Sequence, residues 1–325
     1  MRQRLYILYI PILSLISTAV VLFFPFSAED AFITYRYAQN LATLGSFVFN
    51  EGAPIMALTS PFHGLFTSLL FVLTGKTILA NKIVSGVLFV GSAVLVCLRY
   101  RKQPTLQLIT ASLVLLPPCV ALWTFGGLET PYLMFLVTSL TLLVARESET
   151  RRDLLYGTFL LAGLAFVTRF DSILFTAPLL IRMMCRTRRR YDIVLAIAVG
   201  AALPVAWMVI SHSYYGDIFP TSFYAKSPSW SIPVIIGNGK YILFYLTVVG
   251  IIPAVAFTIV RLRKSRRMLE LLQRHIMVMW WLYCGVAAEL LYGLTMATTH
   301  MMFSFRFFVP YIPAVAILIA DLVER

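Results

Sequence analysis

Charge is what this sequence has least of. Only 13% of its 325 residues are Asp, Glu, Lys or Arg, against 60% hydrophobic, and its mean hydropathy is +0.85. A water-soluble domain carries roughly 25% charged residues. The polar surface here is too small to coat a soluble sphere of this size, so lipid is the solvent for much of the chain. Cysteine is scarce too. Cys97, Cys119, Cys185 and Cys284 lie in or beside apolar runs and form no CxxC pair, which excludes a disulfide framework or a zinc site built on clustered ligands. Nucleotide and hydrolase signatures are missing: there is no GxGxxG, P-loop, DxD, HExxH or nucleophile elbow. The histidines His63, His212, His275 and His300 have no metal-ligand spacing. No cofactor is expected, and the need for a divalent metal stays open. Period-2 strands, internal repeats and low-complexity tracts are also absent.

What is present is a row of apolar runs separated by two kinds of loop. The formal charge of +13 comes from short basic clusters: Arg2 and Arg4; Arg99, Arg101 and Lys102; Arg146, Arg151 and Arg152; Arg182 and Arg186 to Arg190; Arg261 to Arg274. This is the pattern of the positive-inside rule and not of nucleic-acid binding. The spans expected are 5–26 (a retained helix and not a cleaved signal), 78–98, 105–123, 131–145, 192–213, 240–260, 275–294 and 305–322. Residues 153–181 would run about 44 Å as one helix and carry a basic cluster outside. Broken at Thr168-Arg169-Phe170-Asp171, they become a hairpin with legs of about 13–15 residues, shorter than the hydrocarbon core, and the charged turn then faces protein or a wet cavity. The fold class expected is an all-α polytopic transmembrane helical bundle of about ten passes with cytoplasmic termini. It forms a single integral membrane domain over 1–325, with interfacial amphipathic helices in an outer loop at 27–77.

That outer loop opens with Ser27-Ala28-Glu29-Asp30, a capping-box-like start, followed by an amphipathic stretch from Ala31 to Leu44 that Gly45 stops and an apolar segment, Pro61 to Leu73, too short to span. Chemistry-bearing residues collect on the same side. Glu29 and Asp30 read first as carboxylates at a helix start, and otherwise as a general base toward a hydroxyl. Arg169 at membrane depth suits a phosphate held bidentately, or equally a structural pair with Asp171. Glu129, in Gly126-Gly127-Leu128-Glu129-Thr130, is a substrate contact or a helix-start carboxylate. Tyr215, Asp217, Tyr224 and Lys226 lie in an aromatic segment that stacks on sugar rings or forms an interfacial belt. Arg306, after His300-Met301-Met302-Phe303-Ser304-Phe305, binds an anion or snorkels.

Four separated segments resemble the GT-C fold glycosyltransferases, in particular the bacterial branch that includes the mycobacterial arabinofuranosyltransferases. They are Glu29-Asp30-Ala31-Phe32-Ile33-Thr34-Tyr35-Arg36-Tyr37-Ala38 with Phe47-Val48-Phe49-Asn50 and Thr59-Ser60-Pro61; Gly126 to Thr130; Tyr214 to Lys226; and Phe305-Arg306-Phe307-Phe308-Val309-Pro310. The resemblance implies transfer of a sugar from a polyprenyl-phosphate donor to a hydroxyl of a cell-envelope glycan, lipid or protein. It implies inversion at the anomeric carbon, on the non-cytoplasmic face of a bacterial inner membrane. On it, Asp30 or Glu29 is the catalytic base. Arg169, Arg36, Lys226 and Arg306 are donor phosphate ligands, and Glu129, Tyr215, Asp217, Tyr224 and His300 are substrate contacts. The family more often has two aspartates where this chain has Glu29-Asp30, and commonly a proline where it has Phe170. A transporter or lipid flippase shares the broken hairpin and the buried charge but carries inverted repeats, which are not seen here. A catalytically inactive membrane scaffold is the third reading.

Overall fold

The computed structural model describes residues 26–52, 54–145, 152–225, 231–250, 252, 266–295 and 303–324. Among them the chain is helical, with no β-strand. The helices are α1 (Glu29–Leu44), α2 (Pro61–Thr74), α3 (Thr77–Arg99), α4 (Pro104–Leu115), α5 (Pro118–Phe125), α6 (Thr130–Val144), α7 (Arg152–Thr168), α8 (Ile173–Arg186), α9 (Arg190–Tyr215), the short α10 (Thr221–Ala225), α11 (Ile232–Val248), α12 (Arg266–Thr295) and α13 (Ile312–Glu324), with 3₁₀ turns at Phe170–Ser172, Phe303–Phe305 and Val309–Tyr311.

The two helices expected in the outer loop form as α1 and α2, and Gly45 ends α1 in the left-handed conformation at φ 68°, as a glycine stop does. The expected capping box does not form. The cap is Ala28, with no side-chain bond; its N–H donates instead to the Gly126 carbonyl at 2.8 Å, so a distant loop and not a local serine fixes where α1 begins.

The hairpin forms as expected. α7 ends at Thr168, Arg169 is extended at φ −162°, ψ 117°, and α8 resumes at Ile173. Three expected spans are redrawn. Residues 105–123 are two helices, α4 and α5, bent by 57°, because Pro117 offers no N–H to continue α4 and, preceding Pro118, is held extended at φ −62°, ψ 123°. The span placed at 240–260 begins earlier, at Ile232, where Pro233 sits in the first turn, a position that suits its fixed φ and missing N–H. Residues 275–294 are the end of a longer helix, α12, kinked at Met279. Among the described residues four stretches, Thr77–Arg99, Arg190–Tyr215, Glu270–Thr295 and Phe303–Val323, are long and apolar enough to cross a membrane, five if the bent α4–α5 pair is one span. The pass expected at 5–26 lies outside the described residues.

Packing follows the rules for lipid-solvated helices, where close van der Waals contact replaces the hydrophobic effect. α7 and α9 touch backbone to backbone: a Cβ on Gly163 would lie 2.1 Å from the Gly200 carbonyl oxygen. Most of α9 is exposed to the surroundings, whereas 72% of the Phe303–Val323 window is buried. The last helix therefore runs through the middle of the bundle, against Val96, Leu133, Val137, Leu140, Phe175 and Trp281.

The bundle has two chemically distinct ends. At one, α3 and α13 finish together, where Arg99 pairs with Asp321 at 2.9 Å. There too Arg186 donates to the Val144 carbonyl at the end of α6, and Arg152 at the start of α7 pairs with Asp192 at the start of α9. At the other end lie the start of α1, the α5–α6 connection, the α7–α8 break and the approach to α13. Asp30, Glu129, Arg169 and Arg306 sit at this end.

Candidate functional site

Each side chain of the site is delivered by an interruption of a helix. Gly127 (φ 86°) turns the chain between α5 and α6. It lies so close beneath α1 that a Cβ would come within 2.2 Å of the Tyr35 hydroxyl and 2.9 Å of Ala31 Cβ. This contact seats the first turn of α1, and with it Asp30, beside Glu129 at the start of α6. Buried Asn81 locks the same turn. Its Nδ2 donates to the Gly127 carbonyl at 3.2 Å and to the Tyr35 hydroxyl at 3.3 Å, while its Oδ1 accepts from Tyr132 at 2.7 Å and lies 3.2 Å from His63 Nε2.

Arg169 sits in the hairpin break, where Ser60 Oγ donates to the Thr168 carbonyl at 2.6 Å. Arg306 follows Ser304 and Phe305, both left-handed at φ 47° and 63°. Non-glycine residues there cost about 1–3 kcal/mol each and persist only when their surroundings hold them. Here Trp123 Nε1 donates to the Ser304 carbonyl at 2.9 Å, and the Phe305 N–H donates to the Tyr241 hydroxyl at 2.7 Å.

The result is a continuous line of alternating charge. Arg306 Nη1 donates to Asp30 Oδ2 at 2.7 Å, and its Nη2 lies 3.9 Å from Glu129 Oε1. The same Glu129 oxygen is 3.6 Å from Arg169 Nη1. Arg169 Nε donates to both oxygens of Asp171, at 2.8 and 3.1 Å. Aromatic faces cover the cations, with Arg169 4.2 Å above Phe307 and Arg306 5.6 Å from the Trp123 ring centre.

Burial is graded along this line. The Asp30 side chain is 57% exposed, Arg306 17%, Arg169 9% and Glu129 4%. Burial alone opposes ionisation of Glu129, but Arg306 and Arg169, with His63 adding, outweigh it and hold its carboxyl below the ordinary value. Arg306 Nε and Arg169 Nη1 are buried and have no hydrogen-bond partner among the described residues. A buried donor left unsatisfied costs about 1–3 kcal/mol, so an acceptor reaching either atom would relieve that cost, Arg169 Nη1 facing only Glu129, at 3.6 Å.

Asp30, Glu129, Arg169 and Arg306 are thus brought together from four separate segments. Arg169 pairs with Asp171, as one of its two readings has it, and also reaches Glu129. Glu129 is not a free substrate contact but the buried link between two arginines. Arg306 does not snorkel; it points inward from the turn between Phe303–Phe305 and Val309–Tyr311.

The other candidates lie elsewhere. Glu29 is exposed and makes no ion pair among the described residues. Exposed Arg36 donates through Nε to the Phe49 carbonyl at 2.7 Å and lies over the Phe49 ring. The Tyr215 hydroxyl donates to the Phe47 carbonyl; the Asp217 carboxylate is exposed, its backbone carbonyl accepting from Ser211 at 2.7 Å. Tyr224 is exposed and edges onto Phe223, which stacks on Phe219 at 4.8 Å, and Phe219 meets Phe170 at 5.8 Å. Phe170 follows Arg169, so this aromatic ledge borders the charged line. Lys226 and His300 lie outside the described residues. No group of three or more metal-ligating side chains occurs among the described residues.

One acid escaped the sequence reading. Glu289, 2% exposed on α12, sits beside Tyr311 and the Arg169–Asp171 pair. Its signal was the lone acid of the apolar stretch 275–294.

Over its whole length the chain matches the crystal structure of ArnT from Cupriavidus metallidurans in the apo state, with a TM-score of 0.67 at 16% sequence identity. ArnT is a GT-C glycosyltransferase. The fold is of the GT-C type. The match covers 100% of this chain and 60% of ArnT. No protein-family profile and no curated sequence matches the chain. The likeness to ArnT carries the fold and gives no ground for the mycobacterial arabinofuranosyltransferase branch, which rests on the sequence segments.

Proposed function

We propose that this GT-C chain is an inverting glycosyltransferase that moves a sugar from a polyprenyl-phosphate donor to a hydroxyl acceptor on the non-cytoplasmic face of a bacterial inner membrane. The observation that carries the reading is the pair of unused guanidinium donors, Arg306 Nε and Arg169 Nη1, on a line of charge that ends at exposed Asp30. They supply the planar, multi-donor geometry that a phosphate takes.

Three carboxylates, Asp30, Glu129 and Asp171, share two guanidiniums in this line. An arriving phosphodiester adds another negative charge, so one carboxylate must give way. Asp30 is the most exposed of the three partners and therefore the most weakly held, while buried Glu129 and Asp171 keep the arginines in place. Donor binding then draws Arg306 from Asp30 to the phosphate and frees Asp30 as base. The acceptor oxygen attacks the anomeric carbon opposite the phosphate and Asp30 takes the hydroxyl proton. The bond to the phosphate oxygen breaks, and polyprenyl phosphate leaves with one more negative charge, which Arg306 and Arg169 stabilise. No acid is required for that leaving group. The ledge of Phe219, Phe223 and Tyr224 supplies flat apolar faces beside the line for the sugar or the first isoprene units. Placement of this end outside the cytoplasm follows from the basic clusters at the opposite end.

Purified protein in sealed proteoliposomes, incubated with radiolabelled polyprenyl-phosphate sugars and an envelope extract as acceptor, tests the reading. Transfer of label with release of polyprenyl phosphate is the expected result. Movement of donor between leaflets without transfer would make the chain a flippase, and neither outcome would make it a scaffold.

A further inference from the structure

At the end of the bundle opposite the charged line, α3 and α4 are joined by a tight turn beside the last turn of α13. A cavity of about 330 Å³ opens there, lined by Arg99, Tyr100, Arg101, Lys102, Gln103 and Asp321. Its floor is rigid. The Tyr100 hydroxyl donates to Asp321 Oδ1 and lies 3.3 Å from the Ile317 carbonyl, Arg99 Nη2 donates to Asp321 Oδ2 at 2.9 Å, and the Gln103 N–H closes the turn on the Tyr100 carbonyl at 2.8 Å. Both Asp321 oxygens are therefore engaged, one by Arg99 and one by a phenol. Three cations line the cavity against one carboxylate. Arg101 and Lys102, both exposed, are left with their charge uncompensated by Asp321, so the cavity suits an anion.

A second observation identifies the anion's other half. On α3, Leu79, Ile83, Val87, Val94 and Leu98 are all 40–66% exposed, and their spacing puts them on one face of the helix. This apolar stripe runs the length of a membrane-spanning helix and ends at Leu98, at the rim of the cavity. Acyl chains lying on such a stripe deliver a headgroup to its end.

We propose that this cavity binds the phosphodiester headgroup of an anionic membrane phospholipid, with Arg101 and Lys102 holding the phosphate and Arg99, tied to Asp321, shaping the floor. The site is separate from the charged line and does not depend on what reaction that line performs.

The test compares retention of phosphatidylglycerol and phosphatidylcholine by the full chain, using native mass spectrometry from mixed micelles. Wild type should retain phosphatidylglycerol in preference. The double variant Arg101→Ser/Lys102→Ser should weaken that retention by about 30-fold, the effect of two surface cations at an anionic interface. Both side chains are exposed, and an unchanged melting temperature in neutral detergent confirms that the variant is folded. Equal retention of the two lipids by wild type, or undiminished phosphatidylglycerol retention by the folded double variant, would overturn the proposal. Displacement of the lipid by 10 mM inorganic phosphate (about that concentration suffices for a site that reads the phosphate alone) would also overturn it in favour of a free-anion site.

Discussion

Replacing Gly127 with alanine perturbs the place where α1 is seated on the α5–α6 turn. The backbone there is left-handed at φ 86°, which costs an L-residue about 1–2 kcal/mol. The new Cβ meets the Tyr35 hydroxyl at 2.2 Å and Ala31 Cβ at 2.9 Å. Tyr35 is 3% exposed and cannot swing away, so overpacking adds about 1–3 kcal/mol. Together these predict about 2–5 kcal/mol of destabilisation, relieved mainly by sliding α1 off the turn. That movement carries Asp30 away from Arg306, so transfer should fall further than stability alone explains. Thermal unfolding in detergent measures the first effect and sugar transfer per folded molecule the second. Tyr35→Phe removes the atom in closest contact, at the expense of the 3.3 Å bond from Asn81. The double variant Gly127→Ala/Tyr35→Phe should therefore be more stable than Gly127→Ala, and the coupling should have that sign. A Gly127→Ala protein that melts with wild type, or a double variant whose losses simply add, would refute the steric argument.

Other consequences are as specific. Arg169→Lys should weaken donor binding about 10-fold, because a point ammonium cannot keep Asp171 and also offer the spare donor; a lowered melting temperature with unchanged donor affinity would make Arg169 purely structural. Glu129 is held below its ordinary pKa, so the stability it contributes is fully present above about pH 4.5 and is lost as pH falls through its lowered folded-state value. The gap in melting temperature between wild type and Glu129→Gln should narrow on acidification within that window, and a gap independent of pH would contradict the assignment. With Cys185 and Cys284, the exposed cysteines, replaced, a cysteine at 50 or 217 should react with an impermeant reagent in intact cells, and one at 101 or 188 should not. Labelling at 188 would overturn the orientation of the hairpin.

The sequence makes the lipid-phase character, the hairpin break at Arg169 and the gathering of acids and cations on one side legible, because charge is so rare here that each charged residue between apolar runs stands out. Glycine and proline mark helix ends locally, and the end of α1 at Gly45 and both ends of α2, at Pro61 and Gly75, fall where those residues predict. Properties set by tertiary contact were not legible. The start of α1 depends on the Gly126 carbonyl and not on Ser27. Glu129 is buried between two arginines that lie 40 and 177 positions away in sequence, a distance no local pattern encodes. Arg36, attractive by its neighbours in sequence, turns to Phe49 because α1 folds back on its own loop. The Asn81 network joins residues whose types carry no signature of their own. Glu289 was readable in principle, as the lone acid of the apolar stretch 275–294.

The central claim is that Asp30 is the base and that Arg306 restrains it until donor arrives. Asp30→Asn tests both parts at once, with Glu29→Gln alongside, by measuring donor affinity and sugar transfer per mole of inserted protein. Asparagine keeps the shape of the side chain but accepts no proton at neutral pH, and losing the carboxylate at the start of α1 costs only about 0.3–1 kcal/mol. The account predicts that Asp30→Asn loses about 10²–10⁴-fold in transfer rate while binding donor at least as tightly as wild type, since the competitor for Arg306 is gone. Glu29→Gln should transfer sugar normally. Transfer by Asp30→Asn at near wild-type rate would contradict the account, and with Glu29→Gln inactive it would move the base to Glu29.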